Sequence, residues 1–516
     1  MRNRSRIKEE GMRLYLINPS NPLVSMTSCR RWRKYRVWKP LGLMTVAALT
    51  PPGWEVTLID ENRDIPDYAS LPRPDLVGLT AFTPQAPRAY RIASWFRGVG
   101  VPVVMGGIHA SMRTDESLRE VDSVVRGEAE SVWPVVLTDH SKGALRRRYE
   151  GGLSDPAAIP LARHDLLPHG YTFGVVQTSR GCPLSCDFCS VSEFSGRRPR
   201  PRPVDAVIRE LQSIPERLVL FVDDNLIGTR LEHLDRAKEL FRAMIAAKVR
   251  KEWICQATIN LADDDELLDL AHEAGCFGAF IGFESPSDAG LAEVGKRYNI
   301  LKGADLRASV DRIHRHGISV VGSFIMGLDC DVPGIGGRIA EAAIDCGIDL
   351  LNVLYLTPLP GTRLWQRMES EGRIAANHYP GDWAHYTLDI PVARYQHLSW
   401  SQLRCEMNVS WRRFYSARGI LGRVWRSLLQ RRKPLATLVS SLSYRRNYET
   451  DDRTLATLDL SRGESRDCID QGGSDGACRG PARTDCAADA PTPRSRREAR
   501  PERGRGAVAP GEARAQ

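Results

Sequence analysis

The chain contains no apolar run approaching the ~20 residues that a membrane-spanning helix needs, so no segment reads as a span. Its first residues, Met1–Gly11, are charged and lack the apolar stretch of a secretory leader; Met12 is the expected natural start. No GxGxxG occurs, which argues against ordinary dinucleotide binding. Cysteine is sparse, with 12 in 516 residues and no even framework, and this reads as a chain kept in a reducing, intracellular setting. Aromatic residues are absent from Glu449 to Gln516. That stretch is rich in Arg, Asp, Gly, Ala and Pro, cannot bury enough apolar surface to offset ordering entropy, and is expected to be disordered. Its cysteines, Cys468, Cys478 and Cys486, have spacings that fit no common metal module.

What is present supports two or three domains, with a hydrophobic content of 42% that allows a sizeable core. The net charge of +9 is concentrated in Arg30–Lys39 and in the amphipathic stretch Arg412–Arg446. No nucleic-acid motif accompanies it, so no nucleic-acid partner is expected. The first of these segments, RRWRKYRVWK, reads equally as an exposed basic loop or as a contact for an acidic ligand.

From Phe173 onward, apolar strand-like runs alternate with helical stretches. The runs are Phe173–Ser179, Leu218–Asp224, Trp253–Ile259, Ala279–Ser285, Val320–Met326 and Leu350–Pro358. Six such units predict an open partial barrel of parallel strands with its site at their carboxyl ends. Polar residues gather at those ends: Asp223, Asp224 and Asn225; Gln256, Thr258 and Asn260; Glu284 and Ser285; and the segment Thr357–Thr362. Helix capping accounts equally well for Asn225 and Ser285, but Glu284 is a poor cap. A second α/β pattern precedes the barrel, with strand-like runs at Arg13–Pro19, Glu55–Glu61, Asp75–Ala81, Val101–Gly107 and Ser123–Ala129. Small or hydroxylated residues mark its strand ends (Thr80 and Thr83, Gly106 and Gly107, Gly127), with Glu128 following, as a crevice that admits a large ligand to the backbone would require.

The densest chemistry lies in Gln177–Ser190, QTSRGCPLSCDFCS, where Cys182, Cys186 and Cys189 follow a CxxxCxxC spacing. Three thiolates this close can ligate three irons of a 4Fe–4S cube and leave the fourth iron open. The competing reading is a structural zinc knuckle. It needs a fourth ligand, and no second CxxC or CxH pair exists; His164 and His169 lack ligand-pair spacing. On these residues the segment resembles the cluster loop of radical S-adenosylmethionine enzymes. The resemblance implies a 4Fe–4S cluster on Cys182, Cys186 and Cys189, with S-adenosylmethionine near Phe188, Asp223, Asp224, Gln256, Glu284 and Ser285. Here Asp223-Asp224 stands where many relatives carry GGE.

Upstream, Pro40–Leu43, Asp75–Thr83, Gly106–Ser111 (GGIHAS) and Val124–Glu130 (VVRGEAE) resemble the cobalamin-binding domain that precedes the barrel in one branch of that family. This implies cobalamin contacts from Thr80, Thr83, Gly106, Gly107, His109, Gly127 and Glu128. No DxHxxG occurs, so no histidine is expected below the cobalt, and His109 reads as a hydrogen-bonding residue of its loop. After the barrel, Asp382–His385 and Leu398–Tyr415 resemble the helical extension of relatives near the hopanoid-methylating enzymes, whose MPPQG signature is replaced here by VWKPLGL.

The resulting expectation is an α/β chain: a Rossmann-like cobalamin-binding domain (12–140), a linker (141–170), a partial (βα)6 radical barrel (171–390), a helical extension (391–448) and a disordered tail (449–516). The implied activity is methylation of an unactivated carbon in a lipid, terpenoid or other natural product. The alternatives are a cobalamin-dependent radical cyclisation or rearrangement, and a non-catalytic protein with a relic cobalamin domain. The implied setting is cytoplasmic, with an electron donor such as flavodoxin or ferredoxin and peripheral membrane contact through Trp411–Tyr444. The bland reading of that last stretch is helical packing with its apolar face on the barrel.

Overall fold

The computed structural model describes residues 11–21, 23, 39–167, 169–296, 299–300, 305–430 and 432–455, all within one compact unit. The basic segment at 30–38 and the tail beyond 455 lie outside the described residues. Lys39, at the end of that segment, is buried and pairs with Glu216 at 2.8 Å.

Two six-stranded parallel sheets organise the chain. The first has strands β1 (Met12–Asn18), β2 (Trp54–Asp60), β3 (Leu76–Thr80), β4 (Val103–Gly106), β5 (Ser123–Gly127) and β6 (Arg148–Gly152), in the order β2-β1-β3-β4-β5-β6. Burial on both faces explains their Val- and Leu-rich centres: Leu14, Val77, Val104 and Val124 are fully enclosed. The order reverses between β1 and β3, which opens a crevice at their carboxyl ends. Gln85 bridges that point, its amide donating to Asn18 Oδ1 (3.2 Å) and to the Pro19 carbonyl (2.6 Å).

Strand β6 falls inside residues 141–170, expected to be linker. Its sequence, RYEGG, has few apolar residues because it is an edge strand, buried only at alternate positions.

The second sheet runs β7 (Gly174–Val176), β10 (Leu218–Phe221), β11 (Glu252–Ala257), β12 (Cys276–Glu284), β13 (Ser319–Met326) and β14 (Leu350–Tyr355) in spatial sequence, every neighbouring pair parallel. A two-stranded antiparallel piece, β8 (Ser179–Arg180) with β9 (Arg200–Pro201), lies between the first two of these in the chain. The first two barrel strands are shorter than their apolar runs. Beyond β7 and β10, the Thr178 and Ser179 amides turn to the Asp223 carboxylate instead of continuing a ladder.

Beyond β14, the helix Trp400–Phe414 packs against the helix Ile335–Asp345. A Cβ on Gly336 would lie 2.0 Å from the Glu406 carbonyl oxygen, so the close crossing needs glycine there. Two further helices, Ala417–Leu429 and Pro434–Leu455, complete the described chain. The second includes Glu449–Leu455, where disorder was expected; the remainder of that stretch is outside the described residues.

Candidate active site

The β8–β9 pair closes the two ends of the loop that carries the three thiols. Gly181 opens it at φ +87°, and a Cβ there would sit 2.5 Å from the Arg198 carbonyl oxygen. The Cys182 amide donates to the Gly196 carbonyl (3.2 Å), and the Cys189 amide to the Cys186 carbonyl (3.2 Å). From beyond β14, Arg363 reaches back to the Ser185 carbonyl and to Asp187 Oδ1, each at 2.5 Å. The loop is thereby held at the carboxyl ends of the barrel strands.

Burial pushes all three thiols up, Cys186 to about 12 and Cys189 to about 11, so each holds its proton until a metal displaces it. At Cys186 the nearby Lys296 opposes that rise and Glu284 adds to it. Lys296 is enclosed and pairs with Glu284 at 2.9 Å. Burial alone would lower its pKa; the Glu284 carboxylate opposes that, and the balance raises it. Glu284 adopts φ +65°, unusual for a residue with a side chain, which follows the irregular β12–β13 register just before it. Asn299 donates to the Gly282 and Phe283 carbonyls and ties the segment carrying Lys296 to β12. Among the described residues the loop offers three soft thiols and no fourth, a donor set that fits a cube with one open iron. The adjacent carboxylate and ammonium form a polar pair beside it that fits a zwitterionic amino-acid group. Sequence reasoning missed Lys296, because a lone lysine after a helix carries no spacing signal.

The other expected S-adenosylmethionine contacts divide. Asp224 accepts from the Gly181 amide (3.1 Å) beside the cluster loop, and burial raises it to about 6. Gln256 is exposed on the open face of β11, and Phe188 is half-buried against the core. Ser285 lies at the mouth, where its hydroxyl accepts from the Ser287 amide (3.2 Å). Asp223 lies deeper: its carboxylate is fully enclosed and takes hydrogen bonds from the amides and hydroxyls of both Thr178 and Ser179.

In the first domain, Thr80, Gly106 and Gly127 lie at the crevice end of their strands, with Gly107 just beyond β4. Gly107 has φ +87°, and a Cβ there would meet Thr80 Oγ1 at 2.5 Å, so the glycine serves the turn as well as ligand approach. Thr83 is buried at the start of a 3-10 turn. These small residues at a switch point fit a large planar ligand.

His109 and Glu128 are both held by partners within the protein. His109 is fully enclosed. Its Nε2 lies 3.0 Å from the Tyr90 hydroxyl, and its ring meets Trp383 edge-on. Burial lowers its pKa, so it stays neutral, and Glu116 ties this group to Trp383 Nε1 at 2.8 Å. It joins the first domain to the segment after the barrel. Glu128 is buried too. It pairs with Arg180 (3.0 Å) and with Arg200, and accepts from the Ser154 amide (2.8 Å). Arg180 also pairs with Glu130 at 2.5 Å. Because Arg180 immediately precedes Gly181 and Cys182, these carboxylates fasten the first domain to the root of the cluster loop. Sequence reasoning missed Arg180, Arg200 and Glu130, since each partner lies far along the chain.

Comparison with known proteins agrees with this geometry. Residues 176–330 match the model of the radical SAM superfamily, and residues 35–137 match that of the B12 binding domain. The chain is 30% identical over 369 residues to bacteriochlorophyllide d C-12(1)-methyltransferase of Chlorobaculum tepidum, covering 67% of this chain and 76% of that protein. It is 31% identical over 347 residues to the uncharacterized methyltransferase sll1242 of Synechocystis sp. (65% of this chain and 63% of the relative). It is 29% identical over 345 residues to hopanoid C-2 methylase of Rhodopseudomonas palustris (65% of each). The chain thus spans somewhat under two thirds of the length of two of these relatives. Among solved structures, the fold is shared with the radical S-adenosylmethionine methyltransferase TsrM of Kitasatospora setae, with cobalamin and a [4Fe–4S] cluster bound (TM-score 0.57, 18% identity, 71% of this chain and 76% of that one). It is also shared with the cobalamin-dependent S-adenosylmethionine radical enzyme OxsB with aqua-cobalamin bound (TM-score 0.61, 15% identity, 87% and 72%). The cofactors of this architecture are a 4Fe–4S cluster, S-adenosylmethionine and cobalamin. The chain belongs to the family of cobalamin-dependent radical S-adenosylmethionine methyltransferases.

Proposed function

We propose that the protein methylates an unactivated carbon of an apolar natural product, a lipid or terpenoid being the leading class. The observation that supports this best is the three-thiol loop set beside Glu284 and Lys296 and fastened through Arg180 to a second α/β domain. Bound together, the cofactors supply a hydrogen-abstracting radical and a transferable methyl group. The chain's own part is to hold and orient them. In this reading residues 12–140 carry cobalamin through the turns at Thr80, Thr83, Gly106, Gly107 and Gly127. Residues 171–390 carry the cluster on Cys182, Cys186 and Cys189. Glu284, Lys296 and Asp224 receive the polar end of S-adenosylmethionine. Leu220, Ile254, Phe280 and Val321 line the inner face of the barrel strands, as their half-exposed alternation requires, and keep water from the reacting carbon. The relative named for hopanoid methylation favours a polycyclic lipid, and that named for bacteriochlorophyllide a large planar one. An electron donor of the flavodoxin or ferredoxin type, and contact with a membrane surface, belong to the same reading.

The test is anaerobic reconstitution of the full chain, with iron and cobalamin counted, followed by product analysis. Methylated product with S-adenosylhomocysteine supports the proposal. A changed substrate with no added methyl and no S-adenosylhomocysteine replaces it with the cyclisation reading. Cys186→Ala is expected to lose both cluster iron and S-adenosylmethionine cleavage. The cob(II)alamin form should show no imidazole nitrogen splitting in paramagnetic resonance, since His109 is engaged elsewhere.

A further inference from the structure

The two helices that end the described chain pack Ile420, Val424, Leu438, Tyr444 and Tyr448 on the core and leave a second set of large apolar side chains outside. In Ala417–Leu429 the inward residues are Ile420, Arg423 and Ser427. Arg423 stacks 3.9 Å from the Phe414 ring and donates to the Phe414 carbonyl (2.9 Å). The outward residues are Leu421, Trp425, Leu428 and Leu429, each more than half exposed, at i, i+4, i+7 and i+8. Pro434–Leu455 repeats the pattern. Thr437 and Ser441 are buried, whereas Leu435 and Leu442 are more than half exposed and Val439 nearly so. At one point the helices meet through hydroxyls, Thr437 Oγ1 lying 3.4 Å from Ser427 Oγ. A helix pair meant for water puts its leucines in the seam and its polar groups outside. A seam of small hydroxylated residues with leucines outside is the arrangement used where the surroundings are apolar.

The charge around these stripes is of one sign. Between Glu406 and Glu449 there is no acidic residue, and Arg and Lys number ten. Several are committed: Arg413 to Glu341, Arg432 to Asp349 and Lys433 to Glu252. Arg418 and Arg426, flanking Leu421 and Trp425, make no ion pair among the described residues. No helix among the described residues is long and apolar enough to cross a membrane. We propose that this hairpin is a membrane-docking surface that lies in the interface of an anionic bilayer, with Leu421, Trp425, Leu428, Leu429, Leu435, Val439 and Leu442 among the acyl chains and Arg418 and Arg426 at the lipid phosphates. A second copy of the chain is a poorer occupant, because two such faces would set cation against cation. The surface deepens the lipid-substrate reading, on which its use in the reaction rests.

The test is co-sedimentation of the reconstituted full-length protein with vesicles of phosphatidylcholine and phosphatidylglycerol, against vesicles of phosphatidylcholine alone. The protein is expected to pellet with the anionic vesicles at low salt. Leu421→Ser with Trp425→Ser should weaken binding by about tenfold or more, as lost apolar insertion requires. Arg418→Gln with Arg426→Gln should weaken binding to anionic vesicles by about tenfold and lose most of the salt dependence. Arg418, Leu421 and Trp425 are exposed and Arg426 is half-buried, and retained S-adenosylmethionine cleavage reports that the variants are folded. Wild-type protein left in the supernatant with anionic vesicles at low salt overturns the inference. So does undiminished binding of the Leu421/Trp425 variant, or a dimer in sedimentation velocity that this variant abolishes while vesicles bind neither form. Vesicle binding without methylation of any lipid would overturn the substrate reading and leave the surface standing. Methylation of a lipid without vesicle binding would do the reverse.

Discussion

Replacing Glu128 by glutamine should loosen the cluster loop from the first domain without touching a thiol. Glu128 is 2% exposed, and its partners Arg180 and Arg200 are 12% and 15% exposed. The carboxylate accepts from Arg180 Nη1 (3.0 Å), from both terminal nitrogens of Arg200, and from the Ser154 amide. Glutamine keeps one acceptor oxygen and presents an NH2 where the second met a guanidinium. Breaking a buried ion pair on one side costs ~3–5 kcal/mol. The arginines retain other partners, Glu130 for Arg180 and the Ser154 carbonyl for Arg200, so the lower end applies, about 3 kcal/mol. At about 1.4 kcal/mol per decade, that is about a hundredfold rise in the equilibrium for opening this joint. Hydrogen exchange reads such an opening directly. The amides of Thr178–Gly196 should lose about two orders of magnitude of protection, while those of β13 and β14 stay unchanged. Iron content should hold, because the three cysteines remain, and 5′-deoxyadenosine formed per methyl transferred should rise as the two halves lose register. Unchanged exchange across Thr178–Gly196 would refute the reasoning, as would a loss spread evenly over the whole chain. The pH sense follows from Glu128. Burial pushes its carboxyl up, but Arg200 and Arg180 outweigh that and hold it below the ordinary glutamate value of 4.5. The joint is at full strength above that value and weakens as pH falls through the lowered one.

Gly282→Ala should place a methyl 2.2 Å from Glu284 Oε1 and 3.1 Å from Lys296 Nζ. The expected result is S-adenosylmethionine affinity reduced more than about tenfold with iron content unchanged, read by equilibrium binding. Asp349 gathers His314 Nε2 (2.9 Å), Arg432 Nη1 (2.7 Å) and the Val320 amide (2.8 Å) in a fully buried site. Burial would raise its carboxyl, and His314 and Arg432 instead bring it to about 2, so its contribution is full above about 3.8 and is lost as pH falls toward 2. Asp349→Asn should lower the urea midpoint by the equivalent of ~3 kcal/mol at neutral pH, and much of that difference should vanish in acid.

Parallel strands enclosed on both faces announce themselves as continuous apolar runs, and eleven of the twelve strands in the two large sheets were legible in that way. The exception, β6, is an edge strand with alternate burial and two glycines, and composition gives such a strand the look of a linker. The thiol loop was legible because three ligands for one group sit within eight residues of chain. Its surroundings were less so. Asp223 and Asp224 are neighbours of the same type, yet one is sealed by Thr178 and Ser179, 45 and 44 positions away, and the other faces the loop. Glu128 read as a crevice residue because GEAE follows a strand, and only the arrival of Arg200, 72 positions later, makes it a joint.

The terminal hairpin shows the same limit in another form. Helical spacing gives an amphipathic stripe but does not say which side faces inward, since that depends on what the rest of the chain offers to pack against. Here Phe414 and Tyr415 present rings and the Phe414 carbonyl, and these receive Arg423, while Thr437 meets Ser427 between the helices. An arginine stem stacked on rings fills such a site while its charge is met by a carbonyl, so the leucines of the same helix are left to the outside. Seven large apolar side chains then face outward beside Arg418 and Arg426, which make no ion pair among the described residues. Fully burying a leucine is worth ~1.5–3 kcal/mol, and these side chains are about half exposed, so inserting the set into lipid would recover several kcal/mol. A lipid surface is the place that satisfies both the leucines and the arginines.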